Sequence, residues 1–405
     1  MHPMVKPALR RAWRDLGHVQ FGAAPAHAMV VGPVDTVTGT LIGLLDGTRG
    51  LELLRAEARA LGLPDGRLEA LLDRLASVGL LDDAEAGGPR AWPPPAGSAD
   101  SGGLGGSGDS AHPGGPAVAL SSDRLAPDRA SLSVVHREPG GAARCLEARR
   151  TTRVQVRGAG RVGAAVAALL SAAGVGRVEV LDGQRAEPWD VAPGGLPAEA
   201  VGERRDTAAR RLVRRSASLR PPRPARGGAV AGAVAGSEPP VALVVVAPRD
   251  GLAAYAPDPL PADAWVAAAV PHLYAGVVEA TGVVGPLVLP GGTACARCVD
   301  LARTDRDPVW PRMLAQWRSG RAGAAPPCDV ALAAAVSGLA AAHALAFLDG
   351  DLPASTGARW EASLPHTEWR EVRLAPHEDC PCGAAGRAAV HRASATGRAQ
   401  DTMAG

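Results

Sequence analysis

Gly158-Ala159-Gly160-Arg161-Val162-Gly163, with Asp182 about 20 residues beyond, is the stretch whose residue types and spacing speak most directly of chemistry. An alternating apolar run at 154–156 precedes the glycines. A helical run at 162–173 follows, with Val162, Val166, Leu169 and Leu170 at helical spacing, and Gly174-Val175-Gly176 stops it. A second strand at 178–181 ends in Asp182. Strand, glycine turn, helix, strand and acid together read as a nucleotide site. The glycines permit a tight turn, close approach of backbone to phosphate, and close helix–strand packing. The helix N-terminus offers unpaired N–H groups to an anion, and the acid can accept a hydrogen bond from a ribose hydroxyl. The bland alternative is a glycine-rich turn that binds nothing.

A second constellation is made of cysteines. Cys295 and Cys298 are separated by two residues, Cys380 and Cys382 by one. Two such knuckles brought together by the fold make a tetrahedral thiolate site for zinc, structural because no ligand position is left over. The short spacer strains the second pair, and His377 can stand in for one of its cysteines. Free thiols or a redox pair are the other readings. Cys145 receives no role, and Cys328 has no base nearby to make it a nucleophile.

The elements that must position these residues are set by a chain of 405 residues with a formal net charge of +2, which argues for neither nucleic acid nor an anionic membrane. Lys6 is the only lysine. The N-terminus has no apolar core of a signal peptide, so the expected location is cytoplasmic. Val330–Leu348 carries no formal charge but is alanine-rich and holds Ser337 and His343, which fits a buried helix better than a membrane span. Four parts are expected: a small module at 1–84, a Gly/Pro/Ser linker at 85–125, a nucleotide-binding domain at 126–387 and a disordered tail at 388–405.

Within the first part, a short strand at 27–31 is followed by three helical patterns, marked by Leu41 and Leu45, by Leu54 and Ala58, and by Leu68, Leu72 and Leu75; Leu80-Leu81 begins a wing. In the third part, strands are predicted at 131–135, 241–246 and 265–270, a hairpin over 277–289, an arginine-rich helix at 204–219, a helix within 307–318, and two antiparallel strands at 359–364 and 367–374. Asp250 falls just beyond the 241–246 strand, at the carboxyl end where open α/β sheets bind ligands. The segment between Pro221 and Pro240 is low-complexity and reads as a surface loop.

The glycine turn, Asp182, the Val283-Val284-Gly285-Pro286 hairpin and the two cysteine knuckles, in this order, resemble the ThiF/MoeB family of ubiquitin-activating-type adenylyltransferases. The match covers roughly 150–385. CARCVDLARTDRDPVWP and HEDCPCG make it similar to ThiF-like proteins that stand beside cyclodehydratases in thiazole- and oxazole-forming peptide pathways. The first module resembles winged-helix, PqqD-like peptide-recognition elements, which add a leader peptide as a strand to a sheet edge. A structural or dimerising module, or a DNA-binding one, are its other readings.

The resemblance implies an α/β, Rossmann-like doubly wound sheet with a zinc-knuckle C-terminal part and a winged-helix-like N-terminal module. It implies ATP across Gly158, Gly160, Arg161 and Gly163, Asp182 at the ribose, Asp250 linked to Mg2+, and structural Zn2+ on Cys295, Cys298, Cys380 and Cys382. The expected reaction is adenylation of a carboxylate on a peptide or small carrier protein, with a cyclodehydratase as partner and a homodimer as the common assembly. Two parts of the family pattern are absent. The Asn-Leu-Asn-Arg-Gln-like stretch is replaced by Asp190-Val191-Ala192-Pro193-Gly194, and the lysine of the next helix has only Arg204 or Arg205 nearby, with Arg205 the expected catalytic cation. A degenerate scaffold that presents a leader peptide is therefore the alternative to an enzyme, and an NAD(P)-dependent oxidoreductase shares the glycine turn.

Overall fold

The computed structural model describes residues 1–9, 11–22, 28–84, 124–218, 239–319 and 325–387; the expected linker at 85–125 as far as residue 123, the 221–238 segment and the tail beyond 387 lie outside them. The chain divides into two compact units, Met1–Glu147 and Ala148–Gly405.

In the first unit, helices α1 (Thr36–Leu44), α2 (Leu51–Ala60) and α3 (Arg67–Ser77) form where the apolar spacing places them. Asp35 caps α1 by accepting from the Thr38 N–H. Their apolar stripes meet in a core of Leu41, Leu54, Leu68, Leu72 and Leu75. The expected wing is the antiparallel pair β1 (Pro3–Val5) and β5 (Leu81–Asp83). A separate three-stranded antiparallel sheet holds β2 (Arg11–Asp15), β3 (His18–Phe21) and β4 (Met29–Val31), with β4 at an edge. Only β4 and β5 were legible beforehand; β2 is exposed throughout and carries no apolar alternation. The expected strand at 131–135 is instead helix α4 (Ala126–Val135): Pro127 sits in its first turn, and Leu132 and Ser133 are its buried positions. The connection after α4 is tied to this unit by Lys6, whose buried Nζ donates to the carbonyls of His136 and Arg137.

The second unit is built on a seven-stranded sheet in the order β12-β11-β10-β9-β8-β6-β7. Strands β6 (Arg153–Arg157), β7 (Arg177–Leu181), β8 (Val241–Val246) and β9 (His272–Val278) are parallel. Strands β10 (Thr281–Val288), β11 (Ala358–Ser363) and β12 (Arg370–Arg373) continue the sheet antiparallel. The predicted strand at 265–270 is the end of a helix, Pro259–Ala267. Asp258 caps it and Pro259 opens it, and the buried strand is the next apolar run, 272–278. Along β9, Leu273, Ala275 and Val277 belong to the main core, whereas Tyr274 joins the cluster around the cysteines. Side chains of a strand alternate between faces, so the sheet is covered on both.

Helices α6 (Arg161–Ala172), α7 (Arg205–Ser216) and α12 (Val330–Leu348) pack over the main core. Among the described residues, α12 alone is long and apolar enough to cross a membrane, with mean hydropathy 1.9. Leu332, Val336, Ala340 and Ala344, one helical stripe, are buried against the sheet and α6, which makes it a core helix. A buried bidentate pair, Arg149 to Asp349 at 2.8 and 2.5 Å, fastens its C-terminal end.

Candidate functional site

Strand β6 lies between β7 and β8 in the sheet, so the chain winds away from it in opposite directions on its two sides. Ligands of open α/β sheets bind at the carboxyl ends of the strands at such a switch point. The glycine turn leaves β6 here. Its backbone is pinned to both neighbours: Gly158 N–H donates to the Leu181 carbonyl at 3.0 Å, and Ala247 N–H donates to the Arg157 carbonyl at 2.8 Å.

Two of the glycines are demanded by this geometry. Gly158 has φ +106°, and a Cβ there would stand 2.1 Å from the Ala247 carbonyl oxygen. A Cβ on Gly163 would stand 2.1 Å from the Gly158 carbonyl oxygen, so the first turn of α6 can lie on the strand only without a side chain. Gly160 is the residue that precedes α6, and its open side faces the backbone and Cγ of Arg249 at 3.3 Å.

Asp182, at the end of β7, is where the sequence placed it, but its carboxylate is fully engaged. Oδ2 accepts from Ala159 N and Arg205 Nε, both at 2.9 Å, and Oδ1 accepts from Gln184 N and Arg205 Nη2, both at 3.0 Å. A carboxylate has about four lone-pair sites, and all are taken. A ribose hydroxyl can bond to Asp182 only if Arg205 gives way.

Arg205 is correspondingly not the open catalytic cation expected. Its side chain is 4% exposed, and its remaining Nη1 donates to Asp190 at 3.3 Å. Burial works against its charge, and the two carboxylates more than reverse this, so its pKa is raised. Arg205 therefore acts through Asp182 and Asp190. Arg204 beside it is exposed and paired with Asp206 at 3.1 Å. Arg161, expected at the phosphates, donates to the carbonyls of Trp189 and Cys328 at 2.7 and 2.6 Å and holds those loops to the start of α6. Asp250 is exposed just past β8, with Oδ1 accepting from Leu252 N at 3.0 Å. It thus shares the carboxyl edge with the glycine turn and Asp182.

Sequence reasoning missed three residues. Asp190 is 2% exposed, and one of its oxygens lies 2.9 Å from Arg249 Nε while the other receives Arg205 and the Glu187 N–H. The Arg249 guanidinium lies 5.4 Å from the centre of the Trp189 ring. The available signal was an aromatic and an acid, Trp189-Asp190, in a stretch otherwise rich in Gly, Pro and Ala, and an arginine directly before Asp250.

The cysteine knuckles meet. The Sγ atoms of Cys295, Cys298, Cys380 and Cys382 all lie within 4.8 Å of one another, with pairs at 3.8, 3.6 and 3.5 Å. Thiolates around one zinc at about 2.3 Å stand about 3.8 Å apart, a spacing these three pairs approach, so the four cysteines could hold that ion. Donation to Cys298 and burial push the Cys295 thiol up, receipt of that hydrogen bond pulls Cys298 down, and burial pushes Cys380 up. His377 does not replace a cysteine. Its Nε2 is paired with Asp305 at 2.7 Å, and its Nδ1 accepts from Asp379 N at 3.1 Å. Cys328 is partly buried, and burial raises its pKa, as suits an inert thiol.

The profile described as the ThiF family matches residues 134–382. Among solved structures, the chain is similar to E. coli MccB with MccA (14% identity, 94% of this chain and 99% of that one, TM-score 0.63). It is also similar to E. coli MccB with ATP (15% identity, 94% and 99%, TM-score 0.62) and to PaaA (16% identity, 92% and 100%, TM-score 0.58). At these identities the likeness is one of fold. No curated protein matches the chain in sequence.

Proposed function

The chain belongs to the ThiF family, and from that premise we propose that it is an ATP-dependent adenylyltransferase acting on a carboxylate of a peptide or small carrier protein. The triphosphate would lie on the glycine turn, Gly158, Gly160 and Gly163, against the N-terminus of α6. Asp250 would hold Mg2+ and Asp182 the ribose once released from Arg205, while Arg204 would add positive charge at the cleft mouth. An oxygen of the substrate carboxylate bonds to the α-phosphorus, the bridging bond to the β-phosphate breaks, and pyrophosphate leaves with that electron pair. The four cysteines would hold a structural Zn2+ that fixes β12 and the segment after it to the core. The observation carrying this reading is that a glycine turn in which Gly158 and Gly163 have no room for side chains, Asp182 and Asp250 share the carboxyl edge of three adjacent parallel strands. MccB, a microcin C7 biosynthetic enzyme, has been solved with ATP and with N-formylated MccA, which supports a peptide acceptor here.

The test is ATP–pyrophosphate exchange by the full chain over a panel of peptides with free C-terminal carboxylates, against their amides. Exchange is expected with at least one free acid and is expected to fall by two orders of magnitude or more, roughly, in Asp250→Ala. Exchange that survives that change removes Asp250 from the site.

A second reading, a scaffold that presents a leader peptide to a cyclodehydratase, is favoured by the engagement of Asp182 and Arg205 with each other. The first unit supplies the docking feature: edge strand β4 borders a cavity of about 160 Å³ lined by Val31, Val34, Leu41, Leu71 and Arg74. This scaffold would bind peptide with equal affinity whether or not ATP is present and would show no exchange.

A further inference from the structure

Asp182, Arg205, Asp190 and Arg249 alternate in sign along one side of the glycine turn, each joined to the next. The series leaves three donors without a hydrogen bond: Arg249 Nε, whose 2.9 Å approach to Asp190 is an ion pair only, and two that have no partner at all. Arg249 Nη2 and the indole Nε1 of Trp189 are both shielded from solvent, and neither has a hydrogen-bond partner. The two side chains lie one over the other, 5.4 Å from guanidinium carbon to ring centre. Buried donors seldom go without an acceptor, because each has given up its bond with water. Both groups can only donate, so the partner they lack is an acceptor, and an anionic oxygen best matches the charge of Arg249. They stand where such a group is favoured: Arg249 packs on Gly160, immediately before the N-terminus of α6.

Of the three other arginines placed at the site, two are enclosed and the third is paired at its exposed mouth. Arg205 is enclosed by two acids, Arg161 by two carbonyls, and Arg204 is paired with Asp206.

We propose that Arg249, together with the Trp189 indole, receives the phosphate chain of ATP in place of the lysine that this chain lacks, and that its departure from Asp190 draws Arg205 towards Asp190 and opens Asp182 to the ribose. The inference rests on the ATP reading and adds the residue that makes it workable. It joins the phosphate and ribose subsites through side-chain exchange. Asp190 keeps a cation in either arrangement, and Asp182 keeps its two backbone donors, Ala159 and Gln184. Adenosine, without phosphate, meets Asp182 still closed by Arg205.

The experiment is a tryptophan-fluorescence titration of the full chain with MgATP and with adenosine, on wild type, Trp189→Phe and Arg249→Met. Wild type is expected to respond to MgATP with a component that Trp189→Phe lacks. Arg249→Met is expected to bind MgATP about 10- to 100-fold more weakly, the scale of a hydrogen-bonded charge, and to bind adenosine at least as tightly as wild type, because Asp190 without Arg249 draws Arg205 away from Asp182. Equal MgATP affinity in wild type and Arg249→Met overturns the assignment, and so does an equal loss for adenosine, which would make Arg249 a support of the fold. A wild type that binds no MgATP overturns the ATP reading itself, and the assignment with it. If Arg249→Met does not fold, the wild-type and Trp189→Phe titrations decide: a Trp189-dependent response to MgATP but not to adenosine supports the assignment, and equal responses overturn it.

Discussion

Arg205→Met is the substitution that most sharply separates a buried tie from a free catalytic cation. Arg205 makes three hydrogen bonds to two carboxylates, at 2.9, 3.0 and 3.3 Å, with all three side chains at most 7% exposed. Removing one partner of a buried ion pair costs about 3–5 kcal/mol, because the remaining charge stays out of water. Asp182 would keep the N–H groups of Ala159 and Gln184, and Asp190 would keep Arg249 and the Glu187 N–H. The lower end, about 3 kcal/mol, therefore applies. For a unit of this size, at about 2–4 °C per kcal/mol, the melting temperature should fall by about 6–12 °C. Calorimetry on the full chain reads this directly, following the transition of the second unit. Arg205→Lys should recover only part of the loss, because a single ammonium cannot reproduce the fork that reaches both acids. A shift below about 2 °C for Arg205→Met would show that the carboxylates do not depend on it, and the ladder would lose its middle rung.

Three further outcomes follow from the same geometry. Glu179 receives Arg153 at 2.9 and 3.1 Å; burial pushes its carboxyl up, but Arg153, Gln155 and Arg177 outweigh this and hold it below the 4.5 of a free glutamate. Its stabilisation is present above that value and lost as pH falls through the folded pKa, so Glu179→Gln should cost about 1 kcal/mol at neutral pH and converge with wild type in denaturant midpoints at acid pH. Metal analysis should find about one zinc per chain, and Cys298→Ser should lose it together with part of the second unit's melting temperature; a metal-free wild type, or an unaltered melt, contradicts the zinc assignment. Gly163→Ala forces a Cβ to within 2.1 Å of the Gly158 carbonyl oxygen and should cost about 3 kcal/mol or more, measured by denaturant unfolding.

Legibility from the sequence followed the physics of each element. Val241–Val246 and Val330–Leu348 came out with the predicted bounds because a continuous apolar run and a long uncharged helix each have one stable solution in a covered sheet. The segments at 131–135 and 265–270 were misassigned for one shared reason. Apolar β-branched residues were weighed above the proline of a helical first turn, Pro127 in one case and Pro259, with its Asp258 cap, in the other. The glycine turn and the cysteine cluster were readable because their chemistry depends on residue type at short spacing. Asp190, Trp189 and Arg249 were not readable, because their roles arise only when loops after β7 and β8, about 60 residues apart in the chain, meet over Gly160. Asp182 was located correctly, and what no local pattern could reveal was that Arg205 already occupies it.

Isothermal titration calorimetry of the full chain with MgATP, and separately with NAD, addresses the central claim most directly. If the turn at Gly158–Gly163 is a triphosphate site, MgATP binds at one site per chain and NAD gives no heat. Saturable binding of NAD with none of MgATP would place this protein's chemistry in hydride transfer and contradict the account.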